Sequence, residues 1–327
     1  MADIDKTVVL DSKTEPCDKE LCVICKCELQ PDPNDSTFLR CPVCNFKKKI
    51  ENTLVPGSIV GNKYKLLCYL NSGGCGDLFI CCPVEDLAKR YVLKVMKKAG
   101  STSQARFQRE AMILSSIRNE RIAAVYDFWE SGNRSYIVME YISGKNLREV
   151  QDSFEIGEET ALQIVQEVAY ALQFIWENYA IIHRDIKPEN IMITDEYQVK
   201  LLDFGLSKQV TSSGEHDVTT ERVGLGTPGY MSPEQFVDSK NVDFKSDIFS
   251  LGATLFFLIT GEKPITGKSH SEVYSCTCRN SPPPKSRLEG KCSSQCIDLI
   301  QFLMQRDPKD RPESYGILLE KLTALIS

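Results

Sequence analysis

The sequence predicts an α+β protein in which a small β-rich lobe is followed by a larger, mainly helical one, with a cysteine-bearing segment in front. Three observations carry this. Apolar stretches Tyr64–Leu70, Leu78–Cys82 and Tyr91–Met96 are separated by polar turns and a glycine-rich linker, the pattern of strands joined by hairpins. Helical spacing dominates later, over Glu158–Glu177, Lys245–Thr260 and Ser314–Ile326. Of 14 cysteines, six fall between Cys17 and Cys44 and the rest are scattered.

A chain of 327 residues has room for about two domains with real cores. Its 42% hydrophobic and 26% charged residues are those of an ordinary globular protein, which excludes a collagen, a small disulfide scaffold or a wholly disordered chain. A net charge of −6 argues against general nucleic-acid binding, and no nucleic-acid partner is expected. The longest strongly apolar run, Leu251–Thr260, is half the length of a bilayer span and reads as a buried helix, so no membrane insertion is expected. The acidic N-terminus lacks the features of a signal peptide, and a cytoplasmic location follows as the expectation.

In order along the chain, residues 1–20 read as a flexible tail and 21–46 as the cysteine block. Lys47–Lys49 opens a linker, 47–61. A domain spans 62–327, divided into lobes at 62–141 and 142–327. Inside the first lobe the spacing of Phe107, Ala111 and Leu114, and of Glu110, Ile113 and Ile117, predicts a helix over Gln104–Ile117. Strands are predicted near Ala123–Trp129 and Ser135–Tyr141, and Pro282–Pro284 marks a loop between late helices.

The segment IIHRDIKPENIMITDEYQVKLLDFG carries the chemistry. Ile191–Thr194 and Val199–Leu202 flank a polar turn and should pair as an antiparallel hairpin. Asn190 and Asp203 then converge at its open end, with Asp185 and Lys187 in a loop stiffened by Pro188. An amide, two carboxylates and an ammonium together suit a hard cation and a phosphate.

These residues, with others in the same order, make the chain from residue 62 resemble a serine/threonine protein kinase, most like the bacterial type. The resemblance implies a two-lobed protein kinase fold, with a small β-rich N-lobe and a mainly helical C-lobe, that uses ATP and Mg²⁺ to phosphorylate Ser/Thr hydroxyls of protein substrates. It implies that Asp185, in His183-Arg184-Asp185, orients the acceptor hydroxyl and that Lys187 serves the γ-phosphoryl group. Asn190 and Asp203, the latter in Asp203-Phe204-Gly205, become magnesium ligands. Lys94, in Tyr91-Val92-Leu93-Lys94, matches the ATP-binding lysine, and Glu110 its carboxylate partner. Leu70, Asn71, Ser72, Gly73, Gly74, Cys75, Gly76 and Leu78 match the loop over the phosphates and the residues bounding it. Asn71 departs from the usual first glycine, and its tolerance of left-handed angles is what would preserve the turn. Met139, Glu140 and Ile142 fall at the adenine hinge, and Val92 and Met192 join Leu78 around the ring. Thr227, in Thr227-Pro228-Gly229-Tyr230-Met231-Ser232-Pro233-Glu234, would position substrate. Glu234 and Arg311 match a buried ion pair, and Asp247 a brace for the catalytic loop.

Thr219 and Thr220 lie between Gly205 and Thr227, where phosphorylation could engage Arg184, so self-activation at these threonines is expected. Cys22-x2-Cys25-x15-Cys41-x2-Cys44 has the spacing of a tetrahedral thiolate site and resembles a zinc ribbon, with Zn²⁺ structural because four cysteines close the shell. Cys17 and Cys27 are extra, and the scattered cysteines read as buried thiols. Thr7, followed three residues later by Leu10, resembles a phosphothreonine motif taken by forkhead-associated domains. Singly, these residues have plain explanations, such as a turn aspartate at Asp203 or a solvated Glu110 beside Arg106. Their order favours the kinase over the alternative, a nucleotide-binding pseudokinase scaffold acting through its zinc ribbon, because no phosphoryl-transfer residue is missing.

Overall fold

The computed structural model describes residues 30–32, 35–40, 43, 47–49, 54–73, 76–97, 104–132, 134–203, 227–237, 242–267 and 269–326. They fall into two compact units. One gathers the described residues up to Lys97 with Asp127–Tyr141; the other takes Lys98–Tyr126 and the chain from Ile142 onward.

The first unit is built from sheets. Short strands β1 (Gln30–Asp32), β2 (Asp35–Arg40) and β3 (Lys47–Lys49) form a three-stranded antiparallel sheet in that order. The lysines assigned to the linker on sequence therefore belong to a strand, Arg40 pairing with Lys47 and Leu39 with Lys48. A charge run reads as solvated connection, and only the pairing partner reveals it as an edge strand.

Six strands make the larger sheet, in the order β4 (Ile59–Val60), β5 (Tyr64–Gly73), β6 (Gly76–Pro83), β7 (Tyr91–Lys97), β9 (Arg134–Glu140) and β8 (Val125–Ser131). Strand alternation sorts its residues. Phe79, Cys81, Leu93, Val95, Tyr136 and Val138 are buried in one apolar cluster with Val60 and Leu66. Against it Trp129 stacks between Tyr64 and Tyr136, at centroid distances of 5.8 and 4.9 Å. Cys68, by contrast with the expected buried thiols, is disulfide-bonded, while Cys81 and Cys82 are free and buried.

The second unit is mainly helical: α1 (Gln104–Ser116), α2 (Leu147–Ser153), α3 (Glu158–Tyr179), α4 (Pro233–Val237), α5 (Lys245–Thr260), α6 (His270–Asn280), α7 (Ser294–Leu303) and α8 (Tyr315–Ile326). Helix α1 was expected inside the β-rich lobe by its place in the sequence, yet it clusters with the helical unit. The run Leu251–Thr260 is indeed a buried helix: every α5 residue from Ser246 to Ile259 is buried. Its hydroxyls stay satisfied inside the helix, Ser250 and Thr254 each donating four residues back. Gly252 allows α5 to meet α7, since a Cβ there would lie 2.7 Å from Leu303 Cβ. Among the described residues no helix is long and apolar enough to cross a membrane.

A small sheet of β10 (Gly144–Asn146), β11 (Ile191–Thr194) and β12 (Val199–Leu201) completes the unit. The predicted hairpin is present, pairing Ile191 with Leu201, Met192 with Lys200 and Ile193 with Val199. Thr194 Oγ1 closes its turn by accepting from the N–H groups of Glu196 and Gln198.

Candidate active site

The hairpin fixes the site. Leu202 N–H donates to the Asn190 carbonyl at 2.8 Å, so Asp203 leaves β12 beside the point where Asn190 enters β11. Pro188 opens a 3-10 turn through Asn190 that holds this approach.

Around it, polar side chains clamp the loop from His183. Asp247, on the first turn of α5 and 1% exposed, accepts from the backbone N–H of His183 at 2.7 Å and of Arg184 at 2.8 Å, one on each oxygen. These bonds hold Arg184 at φ 66°, a left-handed angle that a non-glycine residue keeps only when its surroundings impose it. His183 Nδ1 accepts from Asp185 N–H while Nε2 meets the Leu202 carbonyl at 2.7 Å, which calls for the tautomer protonated at Nε2. Gln235 was not singled out from the sequence. Its amide donates to the Arg184 carbonyl, and its oxygen accepts from the Ser232 N–H and hydroxyl.

The reactive groups are then assembled. Lys187 Nζ donates to Thr227 Oγ1 at 2.6 Å and lies 3.3 Å from Asp185 Oδ2. Asn190 Nδ2 donates to the carbonyl and carboxylate of Asp185, at 2.8 and 3.1 Å. With its nitrogen so engaged, Asn190 Oδ1 is the atom left to face a cation, a donor set that fits Mg²⁺ together with Asp203. Glu234 and Arg311 form a bidentate pair at 2.6 and 2.8 Å, and Arg311 also donates to the carbonyls of Lys245, Gln305 and Arg306. Burying a guanidinium this completely requires such saturation.

In the six-stranded sheet, register places Leu78, Lys94 and Ile137 side by side, and likewise Ile80, Val92 and Met139. Lys94 is thus a buried ammonium on the face opposite the apolar cluster. Leu70 is exposed and Glu140 ends β9. Ser72 and Gly73 continue β5, Gly73 pairing with Gly76. Gly76 has φ 125°, and a Cβ there would lie 2.3 Å from the Val95 carbonyl oxygen. Asn71 corrects an expectation: it sits in extended β5 opposite Leu78 and uses no left-handed angle, because irregular register between Tyr69 and Asn71 absorbs the bend.

Glu110, Ile142 and Met192 belong to the helical unit, on α1, after β9 and on β11. Gly74, Cys75, Phe204, Thr219, Thr220, Thr7 and the zinc-spaced Cys22, Cys25, Cys41 and Cys44 lie outside the described residues.

Residues 64–322 match the protein kinase domain family. Among curated relatives, the chain is 33% identical over 280 residues to the serine/threonine-protein kinase pkn2 of Myxococcus xanthus, covering 83% of this chain and 33% of that one. It is 34% identical over 263 residues to the serine/threonine-protein kinase PknB of Mycobacterium tuberculosis, covering 78% and 41%. The chain thus spans between a third and about two fifths of these relatives' length. In fold it is similar to the PknI kinase domain of Mycobacterium tuberculosis, with a TM-score of 0.66 at 20% identity over 84% of this chain and 100% of that one. Rad53, solved with AMP-PNP, gives a TM-score of 0.64 at 24% identity, covering 77% and 62%.

Proposed function

The chain belongs to the protein kinase domain family and carries a domain of the bacterial serine/threonine type, and on that premise we propose that it transfers the γ-phosphoryl group of ATP to Ser/Thr hydroxyls of protein substrates. The observation that carries this is the cluster of Asp185, Lys187, Asn190 and Thr227 within hydrogen-bond and ion-pair reach. Asp185 accepts and aims the acceptor hydroxyl. Lys187 sets positive charge where the transferring group gathers negative charge, and Thr227 holds that ammonium in place. Asn190 Oδ1 and Asp203 would hold Mg²⁺, whose charge would neutralise the phosphates. By the family resemblance, Lys94, Glu110 and the backbone around Gly73 and Gly76 serve the nucleotide's phosphates, and Leu78, Val92, Met139, Ile142 and Met192 serve its base.

Activation follows phosphorylation of Thr219 or Thr220, with Arg184 as the cationic partner. In the same reading the cysteines at 22, 25, 41 and 44 bind one structural Zn²⁺. Support comes from their spacing and from the strands that frame them: one pair precedes β1 and the other falls between paired residues Arg40 and Lys47. Thr7 is a phosphothreonine for a forkhead-associated partner, and the protein works in the cytoplasm.

Mass-resolved phosphorylation of the purified chain with Mg²⁺-ATP, wild type against Asp203→Asn, tests the central claim. Phosphate on Ser or Thr in wild type alone is expected; equal incorporation in the variant would refute the assignment. Zinc per chain, measured in the same sample, is expected at one; none in folded, active protein removes the ribbon reading.

A further inference from the structure

Two side-chain atoms beside the catalytic loop are buried with no hydrogen-bond partner: the Tyr230 hydroxyl and Glu189 Oε2. Tyr230 is 2% exposed. A buried polar atom without a partner is destabilising, so two together need a reason. They feel each other: burial and then the Glu189 carboxylate push the Tyr230 hydroxyl's pKa up, while Arg148 opposes them.

Glu189 is committed elsewhere, but weakly. Its other oxygen lies 3.8 Å from Arg148 Nε, too far for a hydrogen bond, and the two side chains are 37% and 31% exposed. Arg148 lies over the Phe257 ring at 4.6 Å, and Phe257 meets Tyr230 edge-on at 6.5 Å. Glu189 stands two residues beyond Lys187, and Tyr230 N–H donates to the carbonyl of Thr227. The cluster therefore borders the groups that handle the acceptor.

We propose that Arg148 reads a carboxylate side chain of the protein acceptor near the phosphorylated hydroxyl, and that Glu189, released from Arg148, turns to accept from the Tyr230 hydroxyl. An acidic residue satisfies every group: Arg148 gains a closer anion, and the two unmatched atoms pair. A basic residue does the reverse, taking Glu189 while leaving both Arg148 and the buried hydroxyl unmatched. This rests on the kinase reading and adds the acceptor sequence class to it.

The test is a set of acceptor peptides with Glu, Gln or Lys placed in turn at each position within four residues of one serine, assayed for kcat and KM. Wild type is expected to show a roughly five- to tenfold lower KM for Glu than for Gln at one position, the size of one charge-assisted contact. Arg148→Gln brings the ratio to about one without changing turnover of the Gln peptide, and Arg148→Lys restores part of it. Tyr230→Phe lowers the ratio and spares the Gln peptide. Equal KM values at every position, a preference for Lys, or a Glu preference that survives Arg148→Gln would each overturn the subsite while leaving transfer intact. No phosphate on any peptide, nor on the chain itself, would overturn the kinase reading beneath it.

Discussion

Two loops marked by the sequence for phosphate chemistry are held in opposite ways. The loop from His183 to Asn190 is pinned by side chains reaching in from elsewhere, the Asp247 carboxylate on two backbone N–H groups and the Gln235 amide on the Arg184 carbonyl, and by its own Asn190 on Asp185. The strand ends that flank the glycine-rich loop, Asn71–Gly73 and Gly76–Leu78, are held by pairing with each other and by the lack of a side chain at Gly76. A loop that must present charged groups in fixed directions spends buried polar contacts, each of which is costly to lose. One that must offer backbone to a ligand needs only space.

Asp247→Ala should break the first arrangement most severely. It strands two N–H groups at about 1–3 kcal/mol each, and denaturant unfolding should show both that loss and, at lower denaturant, lost phosphoryl transfer. Gly76→Ala should cost about 1–3 kcal/mol of local strain and raise the KM for ATP while global unfolding hardly moves. If it destabilised the chain as much as Asp247→Ala, the contrast between the loops would fail. Gln235→Leu removes three bonds: the one to the Arg184 carbonyl holds the loop and is worth about 1–2 kcal/mol, and the other two leave the Ser232 N–H and hydroxyl unpaired; kcat should fall more than KM rises.

The smallest effect concerns the sheet's apolar face. Burial first, then Cys82, push the Cys81 thiol from 9.0 up to about 12. The unfolded chain then releases this proton before the folded one does. Stability from this group is complete below about pH 9 and drains away as pH rises toward 12. Cys81→Val should make alkaline unfolding less steep; an unchanged pH profile would place the thiol outside the apolar cluster.

Much of this was legible in the sequence because local pattern and tertiary use agree. The hairpin over Ile191–Leu201 was announced by two apolar runs and a polar turn, and Lys94 by alternation along its strand. What escaped reading depends on distant partners. Gly144–Asn146 has no apolar alternation and becomes a strand only because it pairs with Ile193 and its neighbours, where a Cβ at Gly144 would lie 2.1 Å from the Ile193 carbonyl oxygen. Arg121–Ala123 is short and mixed, yet it exchanges backbone bonds with Leu201. Gln235 looks like a surface amide in a one-turn helix, and Arg148 and Tyr230 carry no local pattern that relates them.

Helix α5 is buried along nearly its whole length, and it begins at the carboxylate that grips His183 and Arg184. The two loop amides are thus tied to the interior of the helical unit and shielded from solvent. Their deuterium uptake should be as slow as that of α5 itself, unusual for residues outside regular structure, and should require the unit to open as a whole. Such amides would serve as an internal clock for cooperative opening: a variant that lets them exchange ahead of α5 has uncoupled the catalytic loop from its foundation, even where the melting curve is unchanged.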